Sequence, residues 1–354
     1  MTFLRGNRRW GVCVLGALLL LSTGGLGAGA GLVWESITPI PDRNGLAGAF
    51  AGVSDGVLLV AGGANFPEGK PWEGGKKVWH DTVFALEKPD GQWQAIGRIP
   101  RPLAYGVCVS TPRGVVCVGG SDAERHFAEA FVLRVSNGMV QTRCLPSLPF
   151  PVAYAAGVVL GETVYVCGGS DQPGERSALN RLLALDLSAA TSEWKDHEPC
   201  PGRPRILSVA AVLDGMVYLI GGVALDLGNG QAKRVYLRDG WRYQPGHGWR
   251  QIADLPAPSA AAPSPAPVLG SQLFILGGDD GSLVGFQPVE RHPGFPRVVW
   301  CYDTVRNQWS HAGEAVASRA TLPTVWWLDR FVLPSGEMRP GVRSPEVWTV
   351  RLGR

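Results

Sequence analysis

The chain has 354 residues, of which 45% are hydrophobic and 18% charged. This composition excludes a highly charged disordered chain and suffices for a large buried core. The 48 Gly and 28 Pro follow no three-residue period, which excludes collagen, and a formal charge of +3 is too small to suggest a nucleic-acid partner.

Residues 1–30 read as a secretory signal peptide. Arg5, Arg8 and Arg9 precede an apolar run from Trp10 to Leu21, and small residues follow to Ala30. The run is too short to span a bilayer as a helix; an uncleaved anchor is the other reading. Cleavage after Ala30 leaves a formally neutral chain with no stable membrane insertion. The expected location is periplasmic or secreted. Six Cys remain, none in a Cys-x-x-Cys pair, so zinc and thioredoxin-like readings have no support. Cys108 and Cys117 are placed to face each other across a hairpin.

From residue 57 onward an apolar strand ending in Gly-Gly recurs. The first glycines are Gly62, Gly119, Gly168, Gly221 and Gly277, with Ser335-Gly336 as a worn sixth copy. The steps between them are 57, 49, 53, 56 and 58 residues. An apolar strand and a short turn precede each copy. Most copies are followed by a third strand and then a fourth with Trp: Trp93, Trp194, Trp249 and Trp309. The second copy has Val140 near the expected place. Four short strands per repeat, with Gly-Gly and a later Trp, predict an all-β, six-bladed kelch-type β-propeller. A lone four-stranded sheet cannot bury both faces, whereas sheets packed radially can.

The expected blades are 42–97, 98–147, 148–199, 200–254, 255–315 and 316–354. The sixth lacks its Trp strand, and Leu32-Val33-Trp34-Glu35-Ser36-Ile37 supplies it. Residues 32–38 therefore close the ring and remove an open sheet edge. In such blades the loops after Gly-Gly converge at one mouth of the central channel.

On that face the sixth repeat reads Ser335-Gly336-Glu337-Met338-Arg339-Pro340-Gly341-Val342-Arg343. Gly-Glu-x-x-Pro-Gly-x-Arg resembles a segment of the N-acetylneuraminate (sialic acid) epimerases, also called mutarotases. The first repeat is similar to the same family at Asn44–Gly52, at Ala61-Gly-Gly-Ala-Asn65-Phe66-Pro67 and at Pro71-Trp72-Glu73-Gly74-Gly75-Lys76-Lys77. Here the two segments stand in the reverse of the familiar order, as in a cyclically permuted branch. The resemblance implies a kelch propeller acting on a small acidic sugar, with no metal and no cofactor. It implies that Glu337 is the proton acceptor and that Arg343 holds the substrate carboxylate, its planar fork matching the two oxygens. Arg43, Asn65, Arg101 and Arg203 are the further substrate-binding candidates, with Arg205 and Arg319 at equivalent lead-ins to innermost strands. A basic rim suits an acidic sugar, although kelch arginines at such positions also bridge blades. The Pro-rich stretch from Pro256 to Pro267 replaces an Arg-bearing lead-in in the fifth repeat.

Three other classes compete. A copper-radical oxidase on a kelch propeller needs clustered metal ligands, and the six His are scattered. A sialidase needs a Ser-x-Asp-x-Gly-x-x-Trp repeat that is absent. A non-catalytic kelch module binding protein or glycan remains the serious alternative.

Overall fold

The computed structural model describes residues 31–174, 176–189, 192–228 and 231–353, so the leader reading lies outside the described residues. Six four-stranded antiparallel sheets stand as the blades of a propeller. In chain order the innermost strands are Phe50–Ser54, Val107–Thr111, Ala156–Leu160, Val209–Leu213, Val268–Leu269 and Val325–Trp327. The second strands, such as Val57–Ala61 and Gly114–Val118, are almost wholly buried. They are apolar without alternation because a neighbouring blade covers each face. Outer strands such as Met139–Leu145 are mostly exposed. Among the described residues six large apolar clusters are each shared by two neighbouring blades, and two smaller ones, around Ala104 and around Ile206, lie at the lead-ins.

The sixth blade is completed by the N-terminal strand. Leu32–Ile37 pairs antiparallel with Val347–Leu352, from Leu32 opposite Leu352 to Ile37 opposite Val347. Glu35 on that strand accepts hydrogen bonds from Arg330 at 2.9 Å and from Arg351 at 2.6 Å. The fourth-strand tryptophans lace neighbouring blades together. The indole N–H of Trp93 donates to Thr38 O, Trp194 to Pro146 O, Trp249 to Glu198 O and Trp309 to Ala253 O, at 2.7–2.8 Å.

Gly-Gly marks where the lead-in of the following blade docks. The N–H groups of Gly63, Gly120, Gly169 and Gly222 donate to the carbonyls of Leu103, Val152, Arg205 and Ser259. A Cβ on Gly119 would lie 2.2 Å from Val152 O, and its φ is +62°. Only glycine combines this close approach with a left-handed backbone at little cost. Ser335 keeps the conformation, at φ 64°, and secures it with its hydroxyl. That oxygen accepts the Leu46 N–H at 2.6 Å and lies 2.7 Å from the Ser344 carbonyl, to which it donates.

The channel mouth is framed by a closed ring of backbone hydrogen bonds. Gly48, Tyr105, Tyr154, Leu207, Ala261 and Thr321, one before each innermost strand, all have φ between 54° and 62°. Each N–H donates to the carbonyl of its counterpart in the preceding blade at 2.6–2.9 Å, and Gly48 donates to Thr321 to complete the circle. Left-handed backbone costs about 1 kcal/mol or more for a residue with a Cβ, so a repeated exception of this kind marks a constrained surface. Just above the ring, each lead-in makes a bridge to the residue that follows Gly-Gly. Among these bridges are Ala153 with Ser170, Ala260 with Asp279 and Ala320 with Glu337.

Cys108 and Cys117 are register partners across their hairpin, and both are free thiols. No helix among the described residues is long and apolar enough to cross a membrane.

Candidate active site

The six-residue spacing of Glu337 and Arg343 has a direct geometric meaning. Glu337–Arg339 and Val342–Arg343 form a two-stranded hairpin in which Glu337 is the register partner of Arg343. Pro340 and Gly341 make the turn, with Gly341 at φ 79°. A Cβ there would meet the Pro71 ring at 2.9 Å and Trp72 at 3.1 Å, so the glycine lets the first-repeat loop close against the hairpin. The Gly341 N–H donates to Glu337 Oε1 at 2.9 Å. Arg343 Nη1 lies 3.2 Å from the same oxygen, and the two side chains are 5% and 16% exposed for Arg and Glu respectively.

Arg343 lies with its guanidinium carbon 4.7 Å from the Phe66 ring centre. Its Nε and Nη1 are buried and have no hydrogen-bond partner among the described residues; the Nη1 contact with Glu337 is an ion pair without hydrogen-bond alignment. Buried donors left unmade cost about 1–3 kcal/mol each, and a ligand with acceptor oxygens would satisfy them. Lys77 adds a second cation. Its Nζ lies 4.3 Å from the Tyr105 ring centre and 4.9 Å from that of Trp79. Burial pushes its ammonium down to about 8, the charge of Arg343 acts the same way, and Glu337 opposes both. Tyr105 is buried and its phenol is pushed well above the usual range, chiefly by burial, so it stays neutral. Its ring packs against that of Tyr154, tilted by 35° with centres 5.0 Å apart.

These groups line one cavity of about 470 Å³ at the channel mouth. Lys77, Tyr105, Tyr154, Glu337 and Arg343 form part of its wall; Gln172, Tyr236 and Asp279 form another part. Below the ring the channel narrows to about 90 Å³ and is lined largely by small residues such as Gly48, Gly106 and Gly157. Among the described residues no group of three or more His, Cys, Asp or Glu is set to hold a metal ion.

Only two of the six candidate residues line this cavity: Glu337 and Arg343. Arg43 is exposed beside the lead-in of the first blade. Asn65 is fully buried, and its amide donates to Asp42 at 3.1 Å and to Gly45 O at 2.9 Å, while its oxygen meets His80 at 2.8 Å. It knots the first lead-in to the loop after Gly-Gly. Arg101 pairs with Glu129 at 2.9 Å and lies over Phe127. Arg203 pairs with Asp226. Arg205 forks onto Asp239 at 2.9 and 2.6 Å, and Arg319 reaches Glu346 at 2.6 Å. The expected basic rim is thus largely spent on carboxylates. Arg339, at a variable position of the hairpin, turns to the carbonyls of Glu290 and His292.

Sequence reasoning missed Lys77, Tyr105, Tyr154, Gln172, Tyr236 and Asp279 as cavity residues. A positional signal exists for some of them. Asp279 follows Gly277-Gly278 as Glu337 follows Ser335-Gly336. Tyr105 and Tyr154 share the register of Gly48, one residue after the bridging Ala of each lead-in.

Fold and cavity together define a kelch-type propeller with an ionisable pocket at its channel mouth, and comparison with known proteins agrees. Residues 27–140 match the model of the N-acetylneuraminate epimerase family, and residues 260–314 match the Kelch motif. The Glu337–Arg343 hairpin lies outside both matched stretches. The N-acetylneuraminate epimerase of Yersinia enterocolitica is 44% identical over 93 residues, covering 23% of each chain. That of Salmonella enteritidis is 42% identical over 108 residues, covering 26% of this chain and 28% of the relative. The matches thus span about a quarter of the length of these curated relatives. The solved structure of YjhT superposes with a TM-score of 0.66 at 15% identity, over 90% of this chain and 99% of YjhT, a likeness of fold.

Proposed function

We propose that the protein is an isomerase that interconverts the α and β anomers of N-acetylneuraminic acid or a related acidic sugar. The observation that carries this reading is the buried Glu337–Arg343 pair at the cavity wall, with Arg343 Nε and Nη1 lacking hydrogen-bond partners among the described residues. The match of residues 27–140 to the N-acetylneuraminate epimerase family supports the substrate class.

In this mechanism Arg343, helped by Lys77, binds the sugar carboxylate. The carboxylate fixes the anomeric carbon, to which it is bonded, beside Glu337. Glu337 takes the proton of the anomeric hydroxyl. The bond between the anomeric carbon and the ring oxygen breaks, its electron pair stays on the ring oxygen, and that oxygen takes a proton back from the Glu337 carboxylic acid, directly or through solvent water. The resulting open-chain carbonyl rotates and the ring oxygen attacks its other face. Reclosure reverses both proton transfers, so none is consumed overall. A positioned acid/base of this kind contributes about 10²–10⁴-fold. Tyr105 and Tyr154 give the sugar an apolar wall. Exchange spectroscopy of N-acetylneuraminate with and without protein tests the proposal: the two anomers should interconvert faster with protein, and equal rates would reject it.

A further inference from the structure

We infer that Asp279 and Tyr236 form a specificity subsite that receives a vicinal diol on the tail of the bound sugar acid. This inference rests on the proposed function for the identity of the ring, and on separate observations for the subsite. Around the channel mouth the residue after Gly-Gly is Ala64, Ser121, Ser170, Val223, Asp279 or Glu337. Two of the six are carboxylates, and they stand in neighbouring blades. Both are bridged to the lead-in of their own blade, Asp279 to Ala260 and Glu337 to Ala320, and both line the same cavity. The internal repeat therefore presents Asp279 to the ligand as it presents Glu337.

The surroundings of the two carboxylates differ. Glu337 has Arg343 beside it. Asp279 Oδ2 accepts the Tyr236 hydroxyl at 2.6 Å, and Oδ1 accepts the Gly281 N–H at 3.0 Å. Tyr236 comes from the preceding blade, at the end of the hairpin in which it pairs with Val223, and Arg234 stands near it. Burial and the neighbouring carboxylate raise the Tyr236 phenol to about 12, so it remains a donor and holds Asp279 as an acceptor. A carboxylate has about four acceptor positions. Among the described contacts one on each oxygen is occupied, by Tyr236 and by Gly281, and the position left on each would take one of two adjacent O–H donors. The cavity of about 470 Å³ leaves room beyond a single pyranose ring anchored at Arg343.

The test compares two probes, N-acetylneuraminate and its periodate-shortened seven-carbon derivative, which lacks the diol. Dissociation constants come from NMR titration and anomer exchange rates from the same samples. Wild-type protein should bind the full-length acid more tightly. In Asp279→Asn that preference should narrow by about ten- to a hundredfold, the scale of a hydrogen bond to a charged group. Tyr236→Phe, which frees Asp279 without deleting it, should narrow the preference by a smaller factor. Circular dichroism checks that both variants fold. A preference unchanged in folded Asp279→Asn would overturn the subsite, and if that variant does not fold, an unchanged preference in Tyr236→Phe would do so. Absence of anomer acceleration by wild-type protein with either probe would instead count against the proposed function, while the binding preference would still judge the subsite.

Discussion

Binding of an acidic sugar should draw a proton onto Lys77. Burial holds its ammonium at about 8, so close to half of the molecules carry the charge at pH 8. A sugar carboxylate about 4 Å from Nζ would contribute roughly 4 kcal/mol at an effective dielectric of about 20, nearly a thousandfold in proton affinity. Even a tenfold increase lifts Lys77 to about nine-tenths protonated at pH 8. The expected uptake is therefore about 0.4 to about 0.5 proton per sugar bound at pH 8 and close to none at pH 6, where the ammonium is already formed. Calorimetric titration in Tris and in phosphate reads this number from the dependence of heat on buffer ionisation. Lys77→Met should abolish the uptake. Zero uptake at pH 8, or uptake surviving in Lys77→Met, would refute the reasoning. The same depressed value has a sign in stability: the unfolded chain binds more protons between about 8 and 10.5, so Lys77 makes stability rise with pH across that window.

Three other substitutions test the framework. Arg205→Met leaves Asp239 without its fork and should destabilise the fold by about 3 kcal/mol in urea unfolding, as when a buried pair loses one partner; a loss under 0.5 kcal/mol would show that the pair does not hold the fourth blade. Ser335→Ala loses the hydroxyl bonds to Leu46 and Ser344 while keeping a Cβ at φ 64°, and should cost about 2 kcal/mol. Ser335→Gly relieves the backbone and should cost about 1 kcal/mol less than the alanine; the reverse order in thermal melts would contradict the account of this position. Trp309→Phe removes the bond to Ala253 O between the fourth and fifth blades and should cost about 1 kcal/mol or more, seen as a lower melting temperature.

The propeller was legible because its constraints are local and repeat. Gly-Gly recurs in five of the six repeats where a neighbouring carbonyl must approach, and the missing sixth Trp strand pointed to residues 32–38 as the closing strand. The Glu337–Arg343 spacing was legible through a family likeness, and the hairpin supplies its cause: six residues bring both side chains to one register pair. The rest was not legible, because it depends on partners distant in sequence. Arg101 reads as a rim cation until Glu129 is seen beside it, and Arg203 until Asp226 is. Asn65 reads as a sugar ligand until Asp42, Gly45 and His80 account for its amide. Lys77 lies on a loop with no period to mark it. In the fifth repeat the Arg-bearing lead-in gives way to Ser259, whose hydroxyl donates to Gly277 O at 3.0 Å. That substitution keeps the blade contact without a cation.

The central claim is that Glu337 moves the proton that opens the ring. Exchange spectroscopy on N-acetylneuraminate with wild-type protein and Glu337→Gln, at equal concentration and with binding measured in parallel, tests it most directly. The variant should still bind the sugar and should lose about 10²–10⁴-fold of the acceleration. A folded, sugar-binding Glu337→Gln that exchanges the anomers as fast as wild type would contradict the account.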